Sequence, residues 1–397
     1  MEAIKLNIND RHSFFEENLS NRYATFFSFN ASKGNSTFSL KNSVSHFYRE
    51  LQIPDYTFTG KQLSSFTEII FDLHENEKSG WQFGVNYYTE SFDEVKSGSV
   101  RVRDYNNSTI GGFIQNTSTF SPMITLEGGL RTDYDFKYGA FFLPRLSVLL
   151  KPTRNLTSRI GGALGYKLPT IFTEDAERIY FIGILPIDES NIQPETSVGI
   201  NFDINYKTTL LQLFGFSVNQ FLFLTRLQHS LVLRENSAQG EFFYENADGD
   251  ILSSGFETNI KLSYQDFKLY INYAFINNQL KYDNINNQKP LTPKHNAGFV
   301  LYYELEEKWS AGYELYYTGS QFDELYDKKP DYWVMGVMLM RMFERLSIYV
   351  NFENFTNTLQ TNFEPLVLPP PEHPTFPDIW APSDGFVFNA GLKINIL

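Results

Sequence analysis

The sequence predicts an all-β protein, an antiparallel transmembrane β-barrel, and three observations carry that prediction. The last twelve residues alternate: Phe386, Phe388, Ala390, Leu392, Ile394 and Ile396 fall on one face, and Val387, Asn389, Gly391, Lys393 and Asn395 on the other. Links between such alternating runs are long and short in turn, as in barrels with long outer loops and tight periplasmic turns. No stretch approaches the roughly eighteen apolar residues that a membrane helix needs, the best runs being 181–187 and 333–340.

Composition agrees. Tyr 24 and Phe 38 bring the aromatics to 17 % of 397 residues, yet mean hydropathy is −0.31. Strands with one lipid face and one wet face give that combination. Cysteine is absent, which removes disulfides and thiolate chemistry. A formal net charge of −13 argues against nucleic acid as a partner. Met1-Glu2-Ala3-Ile4 does not read as a secretory signal, so the expectation is that a signal was removed or that the chain starts partway through a longer protein.

Period-2 runs between turn signals predict roughly seventeen strands. Upstream of about Arg131 they are generic; downstream they sharpen. Phe256, Thr258, Ile260 and Leu262 alternate with Glu257, Asn259, Lys261 and Ser263, and Phe267 to Phe275 repeats the pattern. Trp309, Ala311, Tyr313, Leu315 and Tyr317 form the next clear row, then Leu346, Ile348, Val350 and Phe352. Each run is about ten residues, enough at about 3.3 Å rise and a 45° tilt to cross the hydrocarbon.

The links rank as 77–80 short, 95–107 long, 137–140 short, 153–155 short, 170–193 long, 207–209 short, 228–248 long, 265–266 short, 277–293 long, 306–308 short, 319–331 long, 344–345 short and 356–384 long. With Leu397 in the periplasm every long link lies outside, 137–140 being an outer link that is short. A closed bacterial barrel has an even strand count, whereas an odd count leaves the end before Tyr23 outside. The expectation is therefore one partial barrel domain over 1–397, a portion of a larger barrel, with strands missing upstream.

Trp81 and Trp309 begin strands at the periplasmic boundary and Trp333 at the outer one, which suits interface girdle positions, core packing being the alternative. Gly161, Ala163 and Gly165 share the lumen face with Arg159 and Lys167, leaving space for something packed inside.

Several patterns occur in a telling order. Pro144-Arg145-Leu146-Ser147 leads through Asn155-Leu156-Thr157 into Gly165-Tyr166-Lys167-Leu168-Pro169-Thr170; then come Asn191-Ile192-Gln193-Pro194-Glu195-Thr196-Ser197, Phe216-Ser217-Val218-Asn219-Gln220-Phe221, Gly255-Phe256-Glu257, Leu291-Thr292-Pro293-Lys294-His295 and Asn351-Phe352-Glu353-Asn354-Phe355-Thr356-Asn357. From about Arg131 to Leu397 this set resembles the barrel domain of TonB-dependent outer-membrane receptors. Gln220, Thr356 and the non-aromatic Leu397 depart from the family pattern. The resemblance implies a barrel of about twenty-two strands filled by a plug domain, the plug being absent from this sequence.

It further implies a Gram-negative outer-membrane receptor and transporter for a scarce bulky nutrient such as a ferric siderophore. The partners would be the missing plug and N-terminal strands, the TonB complex acting through the plug, and bilayer and lipopolysaccharide. The transported ligand stays open. Gly391, Leu392, Ile394 and Ile396 resemble the terminal signal read by barrel-assembly machinery through strand pairing. A passive outer-membrane porin or hydrophobic-compound channel, closed and plugless, remains the alternative; a soluble propeller should repeat every 40–45 residues or so, and no such repeat is present.

Nothing suggests an enzyme or a cofactor. The six histidines, His12, His46, His74, His229, His295 and His373, form no HExxH or His-x-His, and His229 and Ser230, as strand neighbours, face opposite ways. No phosphate-binding glycine motif is present. Glu174-Asp175 and Asp188-Glu189 lie in an outer link, as solvated charge or as contacts to a ligand or divalent cation. The proline-rich link 356–384, with Pro369-Pro370-Pro371, Pro374, Pro377 and Pro382, is stiff enough to present Phe376 and Trp380 to a ligand, or to serve as a rigid lid.

Overall fold

The computed structural model describes residues 14–76, 78–95, 102–370 and 374–394. They include one 18-stranded antiparallel sheet, a meander in which all but one short strand pair with their neighbours in chain order, and two small separate hairpins. The first five strands are long: β1 Glu17–Lys33, β2 Ser36–Ile53, β3 Tyr56–Asn76, β4 Ser79–Glu94 and β5 Tyr105–Ser121. Next come β6 Ile124–Asp135, β7 Gly139–Leu150 and β8 Leu156–Lys167. The link after β8 carries the helix α1 Glu174–Arg178.

Beyond it run β9 Glu195–Leu210 and β10 Phe214–Gln228. A separate hairpin, β11 Leu231–Asn236 with β12 Glu241–Asn246, fills the following link. The sheet resumes with β13 Gly249–Tyr264 and β14 Phe267–Tyr282, to whose end the two-residue β15 Asn287–Gln288 is paired. Then follow β16 His295–Leu305 and β17 Trp309–Thr318. The small pair β18 Gln321–Phe322 and β19 Lys328–Lys329 lies in the next link. Last are β20 Tyr332–Met342, β21 Leu346–Glu353 and β22 Val387–Ile394. Setting β15 aside, seventeen strands form the meander, the odd number the sequence implies.

Tight turns close the short-link end, here taken as periplasmic. Gly34 (φ 56°) before Asn35, and Gln265 (φ 49°) before Asp266, supply the left-handed residue that a two-residue hairpin requires. Inserted elements sit only in the long links, at the opposite end.

Register confirms the two faces. Val85, Ile110, Ile114, Leu130, Leu146, Ile160, Ile200, Leu222, Leu339, Ile348 and Leu392 are all more than a third exposed and share one face across successive ladders. Among the described residues neither a second sheet nor a helix covers them, so the solvent for this face is lipid. The other face carries Lys41, Glu68, Glu127, Arg145, Arg159, Asp203, Glu257 and Lys261, charge that belongs in a wet lumen.

The expected strand length of about ten residues needs correction over much of the sheet: β9, β10, β13 and β14 have 15 or 16 residues, and the first five strands are as long or longer. Strands β16 to β22 of the meander have 8 to 11 residues, as expected, but β1 to β5 have 16 to 21. At about 3.3 Å per residue the latter are roughly 50–70 Å long, more than a bilayer requires. Their surplus stands above the membrane as a wall, and the link between β2 and β3 is accordingly a tight Pro54-Asp55 turn at its crest.

Trp81 is the third residue of β4, just past a short turn, and its ring stacks 6.1 Å from Phe83. Trp309 opens β17 at the same end, with the Arg341 guanidinium 4.6 Å over its ring, and Trp333 stands at the outer start of β20, 4.7 Å from Tyr317. Both are close to half exposed.

Among the described residues β1 pairs only with β2, and β22 only with β21. Both edge strands descend from the outer end to the periplasmic end.

Candidate functional site

The apolar core of this protein lies outside the membrane. Leu51 from β2, Phe58 from β3 and Phe92 from β4 stand on the inner face of the tall wall, and residues 168–194 fold across the mouth onto them. Phe181 stacks on Phe58 at 4.3 Å, and Phe172 meets Phe92 edge-on at 5.0 Å. Ile171, Ala176, Ile184 and Ile192 from the same link, and Tyr244 from β12, complete the cluster. Each large ring removed from water here contributes about 2–3 kcal/mol, enough to hold a link that would otherwise be mobile.

Local sequence explains how the link turns inward. Pro169 lacks the N–H that a continued β8 ladder needs. The Thr173 side chain caps α1 by accepting from the Ala176 N–H, and Glu174, Asp175 and Glu177 suit the positive end of the helix. Tyr180 (φ 56°) and Phe181 (φ 61°) adopt left-handed conformations that favour glycine, a strain that the burial of Phe181 offsets.

One buried cation anchors the arrangement. Arg103 is 2 % exposed, pairs through its guanidinium with Glu94, and lies over the Phe58 and Phe181 rings at 5.3 and 5.8 Å. It also donates to the Phe181 carbonyl at 2.5 Å, so side chain and link backbone share one donor group. Burial by itself would lower the Arg103 pKa; the hydrogen bonds with Glu94 and Tyr56 outweigh it and raise it.

Short α1 then becomes the hub of the mouth. Arg49 of β2 bonds Glu177 at 2.6 Å, and Arg178 reaches Glu324 at 2.9 Å and Asp378 at 3.5 Å, each in a different outer link. The Tyr244 hydroxyl donates to the Ile171 carbonyl at 2.9 Å, and burial pushes its pKa up to about 12. Phe242 and Ile184 form a parallel bridge, closed by Phe242 N–H to Gly183 O and Leu185 N–H to Phe242 O, both 2.8 Å. Link 168–194 is thus a roof to which the neighbouring links are fastened.

A second junction ties 319–331 to 354–386. Lys329 pairs with Asp323 at 3.0 Å and Glu364 at 2.7 Å. Burial opposes ionisation of all three groups, but the mutual hydrogen bonds win, raising Lys329 and lowering both carboxylates. Gln360, wholly buried, donates to the Asp378 carbonyl at 2.8 Å and accepts from the Trp380 N–H at 2.9 Å.

The structure separates the two aromatic candidates of that proline-rich link. Trp380 is only 5 % exposed, its indole N–H bonded to Glu364 and its ring 5.3 Å from Phe363, so it belongs to the interior of the link. Phe376 is 46 % exposed and tilts against Phe14 at 4.9 Å. At the chain's end Gly391 lies beneath the Tyr349 ring of β21, while Leu392 and Ile394 are exposed on the lipid face; Ile396 lies outside the described residues. Asp188 is occupied within its own turn by Ser190 and Asn191, whose hydrogen bonds hold its pKa below the ordinary carboxylate value. His295 meets the Tyr273 hydroxyl at 2.8 Å where β16 begins.

Two concavities stand out, one beside the roof and one lower in the lumen wall, toward the short-link end. One, about 920 Å³, opens above the outer ends of β9, β10 and β13, between the roof and the β11–β12 hairpin. The other, about 530 Å³, is set into the lumen wall where Gly161 and Ala163 make room beside Arg145, Arg159 and Asn201. Sequence reading found this second one through its small residues. It missed Arg103, α1 and Lys329, each of which has at least one partner in a distant segment, Phe181, Arg49 and Glu364 respectively; a signal that was available is apolar alternation at Leu51, Ile53 and Phe58, continuing past the length of a membrane strand.

Comparison with known proteins agrees with this architecture. A family model described as TonB dependent receptor-like, beta-barrel, matches residues 3–355. No curated protein matches the chain. Among solved structures, the siderophore receptor PirA from Acinetobacter baumannii superposes with a TM-score of 0.74 at 13 % identity, covering 95 % of this chain and 62 % of that one. A mutant of the ferric enterobactin receptor PfeA from Pseudomonas aeruginosa gives 0.70 at 14 % identity, with coverages of 95 % and 62 %. For the FrpB iron transporter from Neisseria meningitidis the values are 0.71, 12 %, 95 % and 63 %. The chain therefore spans less than two thirds of the length of these structures, and at such identities the likeness concerns the fold. With 353 of its residues inside the family match, a lipid-facing meander and its links massed at one end, the chain belongs to the TonB-dependent receptor β-barrel family of outer-membrane proteins.

Proposed function

We propose that this chain is the greater part of the barrel of an outer-membrane receptor that imports a scarce bulky nutrient, such as a ferric siderophore, with energy delivered by the TonB complex through a plug domain. The observation that carries this reading is the combination of a roofed outer mouth with a lumen wall hollowed at Gly161 and Ala163 and lined by Arg145 and Arg159. Such a wall suits a folded domain packed inside. The single barrel domain is completed, on this reading, by an odd number of further strands, because β1 and β22 descend in the same sense and an antiparallel seam between them needs ascending strands. About five would bring the count to the twenty-two or so of large plugged barrels.

Trp81, Trp309 and Trp333 serve as girdle positions against bilayer and lipopolysaccharide, and the β22 face of Leu392 and Ile394 serves in assembly. Phe376 is the aromatic best placed for ligand contact. A passive channel is disfavoured by the same odd meander, which does not seal a pore unaided.

Cells lacking the gene test the reading directly. Uptake of iron-55 from a panel of ferric chelates should fall for at least one chelate and recover on complementation; unchanged uptake across the panel overturns the iron-chelate assignment. The purified chain alone, in proteoliposomes, should drive no accumulation, and accumulation without a plug or TonB would contradict the energised mechanism.

A further inference from the structure

Of the described arginines, two stand on the lipid face of the sheet. Arg226 lies near the outer end of β10, on the face of Leu222; Arg341 is the last residue but one of β20, on the face of Leu339 and opposite Trp309 and Ile348 in the flanking strands. A charge that faces lipid is costly, and such residues are found with partners. Arg226 has one, Asp250 at 2.8 Å on the neighbouring strand. No carboxylate among the described residues lies within 4.0 Å of the Arg341 guanidinium.

Aromatic rings hold it instead. The guanidinium lies 4.6 Å over the Trp309 ring and 5.4 Å from the centre of the Phe343 ring, and its Nη1 donates to the Lys308 carbonyl at a long 3.5 Å. Both rings are about half exposed. Stacking fixes the plane of the guanidinium and leaves its remaining N–H groups free to meet an oxyanion. Trp309 opens β17 beside the tight 306–308 link, so the stack sits where hydrocarbon gives way to headgroups on the periplasmic side.

The charges around this stack are mixed. The links 306–308 and 343–345 are neighbours, joined by the Met342 N–H to the Lys308 carbonyl at 2.8 Å. They carry Lys308 and Arg345, and also Glu306, Glu307 and Glu344, all five exposed. With Arg341 the rim therefore holds three cations and three carboxylates. A net-neutral patch of both signs complements a zwitterion better than it complements an anion.

We infer that the periplasmic rim between β17 and β20 seats the headgroup of a zwitterionic phospholipid bearing a primary ammonium. Its phosphodiester accepts from the Arg341 guanidinium, its ammonium is drawn to the carboxylates of the two links, and its acyl chains run along the lipid face past Leu339 and Ile348. A glycerol head would bring negative charge to the same carboxylates without a cation to offset it. A choline head has the cation but no N–H to donate. The inference goes beyond the nutrient reading: it needs the lipid face of the sheet and the periplasmic sense of the short links, whatever is transported.

Native mass spectrometry of the full purified chain in nonionic detergent, titrated with dioleoyl phosphatidylethanolamine, phosphatidylglycerol and phosphatidylcholine, measures the affinity for each headgroup. The wild type should hold phosphatidylethanolamine most tightly. Arg341→Gln should weaken that binding about 10-fold, the order expected when a hydrogen bond to a charged group is lost, and Arg341→Lys, which keeps the charge without the fork, should fall between the two. Arg226→Gln, at the opposite end of the same face, should leave the affinity unchanged, and heat-modifiable electrophoretic mobility checks that each variant is folded. Equal binding by wild type and Arg341→Gln, or an equal loss in Arg226→Gln, overturns the seat. A glycerol or choline head held as tightly as the ethanolamine head overturns the zwitterion assignment.

Discussion

At the level of single residues, Arg103 concentrates the most consequence. Arg103→Met leaves the Glu94 carboxylate buried without its counter-ion, with the backbone N–H of residue 103 still donating to it, and strips a donor from the Phe181 carbonyl. Breaking such a pair costs about 3–5 kcal/mol, and here the loss falls on the roof. Hydrogen exchange should accelerate at the amides of Phe181 and Leu185, which bond Ala176 and Phe242, while amides in mid-β10 keep wild-type protection. The Lys329 junction yields a pH prediction. Asp323 and Glu364 lie below their ordinary values of 3.8 and 4.5, so their contribution is present above those values and is lost as pH falls through the lowered ones. Lys329 lies above 10.5, so its share is complete below that value and is lost as pH rises through the raised one. Protease resistance of the 319–331 and 354–386 links should accordingly be flat between about pH 5 and 10 and decline on both sides. Neither Arg103 nor Lys329 was legible in the sequence, because the contacts that bury them, Phe181 for Arg103 and Glu364 for Lys329, lie 78 and 35 residues away and leave no local pattern. Trp380 was legible as unusual, yet its role is internal to its link rather than facing solvent.

Single elements were more readable, and the reason is periodicity. A strand between two solvents must alternate, so β13, β14, β17, β21 and β22 were visible residue by residue, with the correct faces. Strands β1 to β5 were weaker signals because their upper thirds leave the membrane and follow a different rule, apolar inward against the roof. The β21–β22 hairpin offers an element-level test. Tyr349 lies across Gly391 in the ladder, so Gly391→Val forces ring and strand apart, at a cost of roughly 1–3 kcal/mol. Folding yield into vesicles, read by heat-modifiable electrophoretic mobility, should drop with Gly391→Val and recover substantially with Tyr349→Ala added. Failure of that second change to help would mean that the glycine is required for something other than room. Links were legible as lengths but not as shapes: the parity of long and short set their side of the membrane, while the inward fold of 168–194 depends on rings from β2, β3 and β4.

For the whole molecule, the decisive claim is that lipid bathes one face of every strand. Leu222 and Asn219 stand near the middle of β10 on opposite faces. Leu222→Arg should cost about 2–4 kcal/mol of folding free energy in a bilayer, whereas Asn219→Arg, facing the lumen, should cost little. Equal costs, measured by urea-dependent folding into vesicles, would mean that the face assignment fails. Topology at this scale was the most legible feature of all: an antiparallel meander with its termini on opposite sides follows from counting strands, which needs no knowledge of contacts. The common polarity of its two outermost strands has a consequence for self-association. Copies inserted in the same sense present edges that all point downward, so they can meet edge to edge only as parallel strands, a pairing slightly weaker per residue than the antiparallel one used throughout the sheet. Antiparallel pairing at either edge calls for a strand that climbs.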